Sequence, residues 1–139
     1  VDLFYATRAE QIEAYLFSFN PEPGTAMAEQ PRTPLWRLRR IQLVKHLIEQ
    51  AGLLREAVEF DGDGGIARLR APRELVEAMI ESGTPFMTDG CPDKHGKLAC
   101  NRPYGSYRPG EPFRDYPFLP LADDRLVIRR ELRLDEILE

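Results

Sequence analysis

The segment from Gly83 to Pro120, GTPFMTDGCPDKHGKLACNRPYGSYRPGEPFRDYPFLP, constrains this chain more than any other. No amphipathic period fits it, so it reads as a long loop or tail. It holds both cysteines, Cys91 and Cys100, with His95 between them. It also holds Phe86, Tyr104, Tyr107 and Phe113 and a run of arginines and prolines. Irregular stretches of this length are uncommon in a compact domain unless they are functional, disordered or held by something. Two cysteines and this many aromatics do not suit disorder. The expectation is a segment held by a bound metal or cluster, or draped over an active site.

With 139 residues, 42% hydrophobic and 30% charged, the chain is expected to form one soluble domain. A net charge of -4 argues against nucleic acid as the main partner, because phosphate contacts need a basic face. The arginines at Arg37, Arg39 and Arg40, and at Arg125, Arg129, Arg130 and Arg133, lie near Glu and Asp and read as solvated helix faces. No signal peptide and no membrane-length apolar run is present, so the chain reads as cytoplasmic, with no membrane partner. Two cysteines in a reducing compartment are more often thiols or metal ligands than a disulfide. The chain opens on Val1 and on an element already under way, which suggests a fragment.

Thr7 to Glu10 forms a Thr-x-x-Glu capping box and predicts a helix start. Tyr15 to Phe19 reads as a buried strand, broken by the prolines and glycine of Asn20–Thr25. Thr33-Pro34 predicts the start of a long helix, with Leu38, Ile41, Val44, Ile48 and Ala51 on one face and Gly52 as its C-cap. Leu53 to Phe60 is a short strand or link, Asp61 to Gly65 a turn, and Ile66 to Leu69 a strand. Pro72 opens a second helix with Leu75, Val76, Met79 and Ile80 inward and Gly83 as cap. Thr84 to Thr88 is a last strand, and Asp123 or Asp124 caps a terminal helix running to about Leu134. This alternation predicts an α/β fold with parallel strands and crossover helices, a C-terminal portion of a (β/α)8 barrel. Its parts would be a partial barrel over 1–89, a cysteine-containing loop over 90–120 and a terminal helix over 121–139.

Thiolates and imidazole are what zinc, iron or an iron–sulfur cluster needs. Cys91 and Cys100 have eight residues between them, which matches neither a zinc knuckle nor a ferredoxin run. They are either metal ligands or incidental thiols. His95, among Lys94, Gly96 and Lys97, reads as an exposed turn residue, and His46 as a surface residue of the long helix. Gly24-Thr25 looks like a strand-end loop whose backbone approaches a ligand, with Glu22 placed either to receive a substrate hydroxyl or amine or to cap a helix. Arg102, Tyr104, Tyr107, Arg108 and Arg114 either bind a carboxylate or phosphate or tie the loop to its surroundings.

Two pieces carry a family resemblance. Phe17-Ser18-Phe19-Asn20-Pro21-Glu22-Pro23-Gly24-Thr25, followed by Leu35-Trp36-Arg37-Leu38-Arg39-Arg40, resembles a strand, loop and helix of biotin-synthase-like radical S-adenosylmethionine enzymes. Gly90-Cys91-Pro92, then Cys100-Asn101-Arg102-Pro103-Tyr104, resembles the C-terminal end of a subgroup similar to the two-component lipoyl synthases. The resemblance spans roughly Tyr15 to Pro120. It implies that Asn20, Glu22, Gly24 and Thr25 line an S-adenosylmethionine site. It also implies that Cys91 and Cys100 serve an auxiliary iron–sulfur cluster, that Arg102, Tyr104 and Arg108 meet a small or lipoyl-type substrate, and that sulfur insertion is the attractive special case. The defining Cys-x-x-x-Cys-x-x-Cys of the catalytic [4Fe–4S] cluster is absent. The missing barrel portion would then sit elsewhere or on a partner subunit. The alternative class is a non-catalytic zinc-binding or subunit-interaction module.

Overall fold

The computed structural model describes residues 1–101 and 110–139. Among these residues there are four helices and two small hairpins: α1 (Asp2–Ala9), α2 (Leu35–Ala51), α3 (Arg73–Ser82) and α4 (Ala122–Leu132), with β1 (Val58–Phe60) and β2 (Ile66–Leu69) in one hairpin and β3 (Cys91–Pro92) and β4 (Leu98–Cys100) in the other. Both hairpins are antiparallel.

The expected partial barrel is therefore overturned. An alternating order of elements is not sufficient for a parallel sheet. Parallel neighbours need a crossover of a dozen or more residues, and β1 and β2 are joined by Asp61–Gly65 alone. Asp61 closes that turn by accepting from the backbone N–H of Asp63 at 3.0 Å and of Gly65 at 2.7 Å. Tyr15–Phe19, expected as a strand, runs without a place in either sheet. Thr84–Phe86 is a 3-10 turn, and the segment reaches strand-like pairing only where Met87 bridges Tyr116. The first helix ends at Ala9, close to where the Thr7–Glu10 box predicted a start: the Thr7 hydroxyl donates back to the Leu3 carbonyl at 2.9 Å.

The predicted long helix is present and closed by Gly52 in the left-handed conformation at φ 68°, but Pro34 rather than Thr33 takes the N-cap position, with no side-chain capping bond. It is the axis of the fold. Leu43, Val44, Leu47 and Ile48 are fully buried and pack with Val58, Ile66, Leu69, Val76, Ile80, Phe86, Ile128 and Leu132. Because α1, α3, α4, β2 and the Thr84–Phe86 turn all meet α2, its polar side chains are enclosed too. Arg39 is completely buried and Arg40 nearly so, contrary to the expectation of solvated faces. Their heads bond to backbone carbonyls of other segments and to side-chain acceptors. Arg40 donates to the carbonyls of Leu132 and Arg133 at the C-terminal end of α4, to the Ile66 carbonyl and to the Glu136 carboxylate. The arginines of α4 do stay near the surface: Arg129 pairs with Glu77 and Glu81 of α3.

Gly83 ends α3 at φ 72°, and a Cβ there would stand 3.0 Å from Pro120 Cδ. Replacing Gly83 with Ala is expected to cost roughly 1–2 kcal/mol from the left-handed backbone alone. Urea unfolding checks this through a lower midpoint with an unchanged slope. Among the described residues no helix is long and apolar enough to cross a membrane.

Candidate functional site

The second hairpin is built by its turn. Asp93 Oδ1 accepts from the backbone N–H of His95 at 2.7 Å and of Lys97 at 3.0 Å, and Asp93 N–H donates to the Lys97 carbonyl at 2.7 Å. Gly96 takes φ 74°, which closes the turn without side-chain conflict. His95 lies exposed in this turn, as its neighbours indicated. The hairpin is anchored at its base by Thr88, whose hydroxyl donates to the Asn101 carbonyl at 3.0 Å, and by Asn101, whose amide donates to the Pro117 carbonyl.

The consequence of this turn is that Cys91 and Cys100 are direct cross-strand partners. Residues so paired carry Cβ atoms roughly 4.5–5.5 Å apart, on one face of the ladder. Two sulfurs on one face can meet a single metal centre. Both cysteines are half-buried, and no disulfide joins them. Among the described residues no group of three or more His, Cys, Asp or Glu gathers into a metal site. The pair thus fits a soft metal or cluster as two thiolate ligands, which is half of a tetrahedral set.

Glu22, Gly24 and Thr25 are exposed and form a turn of their own, in which the Thr25 hydroxyl and N–H donate to the Glu22 carbonyl at 2.9 and 3.3 Å. Gly24 has φ 80° and open space where a Cβ would be, so its conformation serves the turn. Asn20 is partly buried. Arg102, Tyr104, Tyr107 and Arg108 lie outside the described residues. Arg114 is buried and committed to Ser18 and Thr33.

A cleft of about 560 Å³ opens instead between α1, α2 and the segment Thr84–Asp89, and neither the Glu22–Thr25 turn nor the cysteine hairpin lines it. On its wall Lys45 is held between Glu49 at 2.9 Å and Asp89 at 3.1 Å. Asp89 also accepts from the Leu16 N–H at 2.8 Å, which fastens the irregular segment after α1 to the cleft. His46 Nε2 lies 3.3 Å from the Thr84 hydroxyl. The sequence reading placed His46 on the surface and singled out neither Lys45 nor Asp89. The four-residue spacing of Lys45 and Glu49 was the one available signal, and it is common to exposed helix faces.

Burial holds the His46 imidazole below its ordinary pKa, against the smaller opposing pull of Glu49. The folded state thus favours the neutral ring. The stability this contributes is full above the unfolded-state value of about 6.5 and falls as pH drops below it through the folded value. Replacing His46 with Gln is expected to flatten the decline in stability on acidification from neutral pH, measured by urea unfolding at several pH values.

Comparison with protein-family models, with curated proteins and with solved structures finds no match for this chain.

Proposed function

We propose that this chain is part of a radical S-adenosylmethionine enzyme, and that its own contribution to the chemistry is a two-thiolate ligand pair, Cys91 and Cys100, for an auxiliary iron–sulfur cluster. The observation that carries the reading is the register of the second hairpin, which sets the two cysteines opposite each other. The Pro-x-Pro-Gly-Thr and Gly-Cys-Pro…Cys-Asn-Arg-Pro-Tyr pieces support the family, and the reading does not depend on a barrel. Such a cluster, when bound, supplies electron transfer or sulfur for insertion. The hairpin's share is to hold both sulfurs on one ladder face and, by half-burying them, to limit water around them. With only two cysteines in the chain, the catalytic cluster's three ligands would come from elsewhere in the enzyme.

Anaerobic reconstitution with iron and sulfide tests this. The expected result is a brown protein with a broad visible absorption band. Cys91→Ser and Cys100→Ser should each lose most of the bound iron, while His95→Ala retains it. Unchanged iron in both cysteine variants would falsify the ligand role. Colourless protein that binds zinc stoichiometrically through the same cysteines would instead assign the pair to a zinc-binding interaction module.

A further inference from the structure

Away from the cysteine hairpin, Arg114 ties two distant segments together. Its Nε donates to the Ser18 hydroxyl at 2.5 Å and its Nη2 to the Thr33 carbonyl. Arg114 thereby links Ser18, two residues before Asn20, to Thr33, the neighbour of Arg32. Arg32 commits one amino group, Nη1, to Glu111 at 2.6 Å. Its Nε and Nη2 are buried with no hydrogen-bond partner, and so are both polar atoms of the Asn20 amide. Nε and Nη2 together form one complete edge of the guanidinium, two parallel N–H bonds spaced to meet two oxygens of one carboxylate or phosphate. Buried donors without acceptors are costly, and native structures leave few of them without a reason. The surroundings point the same way: burial first, and the Arg32 charge next, hold Arg114 below the ordinary arginine pKa. An anion at the open edge of Arg32 would ease that repulsion.

We propose that Arg32 and Asn20 form a binding site for the oxyanion group of a small ligand, a carboxylate or a phosphate. The Nε–Nη2 edge takes two oxygens. The Asn20 Nδ2 donates a third bond, and its Oδ1 accepts from a hydroxyl or amine carried next to the oxyanion. Entry requires the chain between the two residues to lift. Most of residues 22–31 are exposed, and hydrogen bonds such as Ala28 N–H to the Thr25 carbonyl and Gln30 N–H to the Met27 carbonyl are turns within the segment. It can move without opening the core around α2. The site is independent of the cysteine reading, since it shares no residue with that hairpin.

The test is a titration of the isotope-labelled protein with inorganic phosphate and, separately, with acetate at low ionic strength. The readouts are the Arg32 Nε–H resonance and calorimetric heat. A saturable shift of that resonance with either ion is expected; phosphate alone assigns a phosphate-bearing ligand and acetate alone a carboxylate. Arg32→Lys keeps a cation beside Glu111 but lacks the forked edge, and is expected to weaken binding about tenfold or more. Asn20→Ala should weaken it less while leaving the fold intact by circular dichroism. No saturable shift with either ion, or equal binding by Arg32→Lys and the parent chain, overturns the proposal and leaves the guanidinium edge to water.

Discussion

Replacing Arg39 with Ala is expected to lower the unfolding free energy by about 3–5 kcal/mol, the cost of breaking a buried ion pair from one side. Arg39 is fully enclosed, and its guanidinium serves four acceptors at once. Nε meets Glu131 at 2.8 Å, Nη1 meets Gln42 at 3.0 Å and the Arg114 carbonyl at 2.6 Å, and Nη2 meets the Phe113 carbonyl at 2.6 Å. Truncation leaves those carbonyls without this donor and Glu131 without its countercharge. Much of a small domain's stability of roughly 5–15 kcal/mol would be lost. Urea unfolding measures the loss directly. Arg39→Lys is expected to recover little, because one ammonium cannot span four acceptors in a plane. A loss under 1 kcal/mol in Arg39→Ala would mean that the network is carried by Gln42 and the backbone instead.

Replacing Phe86 with Ala is expected to cost a similar amount, about 3–5 kcal/mol, for a different reason. Its ring is completely buried, and removal opens a cavity among α2, α3 and the Thr84–Phe86 turn. The Arg39 guanidinium lies 5.8 Å from this ring's centroid and 5.4 Å from that of Tyr116. Phe86 also anchors the pairing that fixes the approach to the cysteine hairpin. The Tyr116 N–H donates to the Phe86 carbonyl at 2.8 Å, and the Thr88 N–H to the Tyr116 carbonyl at 2.9 Å. Phe86→Leu should cost less by retaining most of the volume. Because Arg39 and Phe86 touch, the double variant should lose measurably less than the sum of the two single losses. Strict additivity would show that the guanidinium and the ring act independently.

Helices α2, α3 and α4 were the legible part of this fold, whereas α1 spans Asp2–Ala9 and not the stretch after Thr7. The caps and the 3.6-residue pattern of Leu38, Val44 and Ile48, and of Val76 and Ile80, depend on neighbours a few residues away, so a linear reading reaches them. The sheets were not legible in the same way. Ile66–Leu69 was read as a strand, but its partner and direction depend on whether Asp61–Gly65 folds back as a hairpin or leads elsewhere. Tyr15–Phe19 has the apolar and aromatic content of a strand, yet a strand needs an edge to pair with. Aromatic content also suits a chain fastened by side-chain contacts such as Ser18 to Arg114 and Leu16 to Asp89.

The candidate sites divide along the same line. Readable from the linear chain were the two thiols in a proline- and glycine-rich segment, the polar turn around His95, and a long helix lying between Pro34 and Gly52. Each follows from local chemistry: turn residues, caps and the conformations open to glycine and proline. That Cys91 faces Cys100 came from the tertiary structure, because it depends on the register of a hairpin held by Asp93. It alone decided that Arg39 and Arg40 are internal, since charge and spacing on one helix do not reveal how many elements will crowd it. It alone left the Arg32 edge and the Asn20 amide buried without partners, because that outcome depends on segments 12 residues apart being clasped by Arg114 from the far end of the chain.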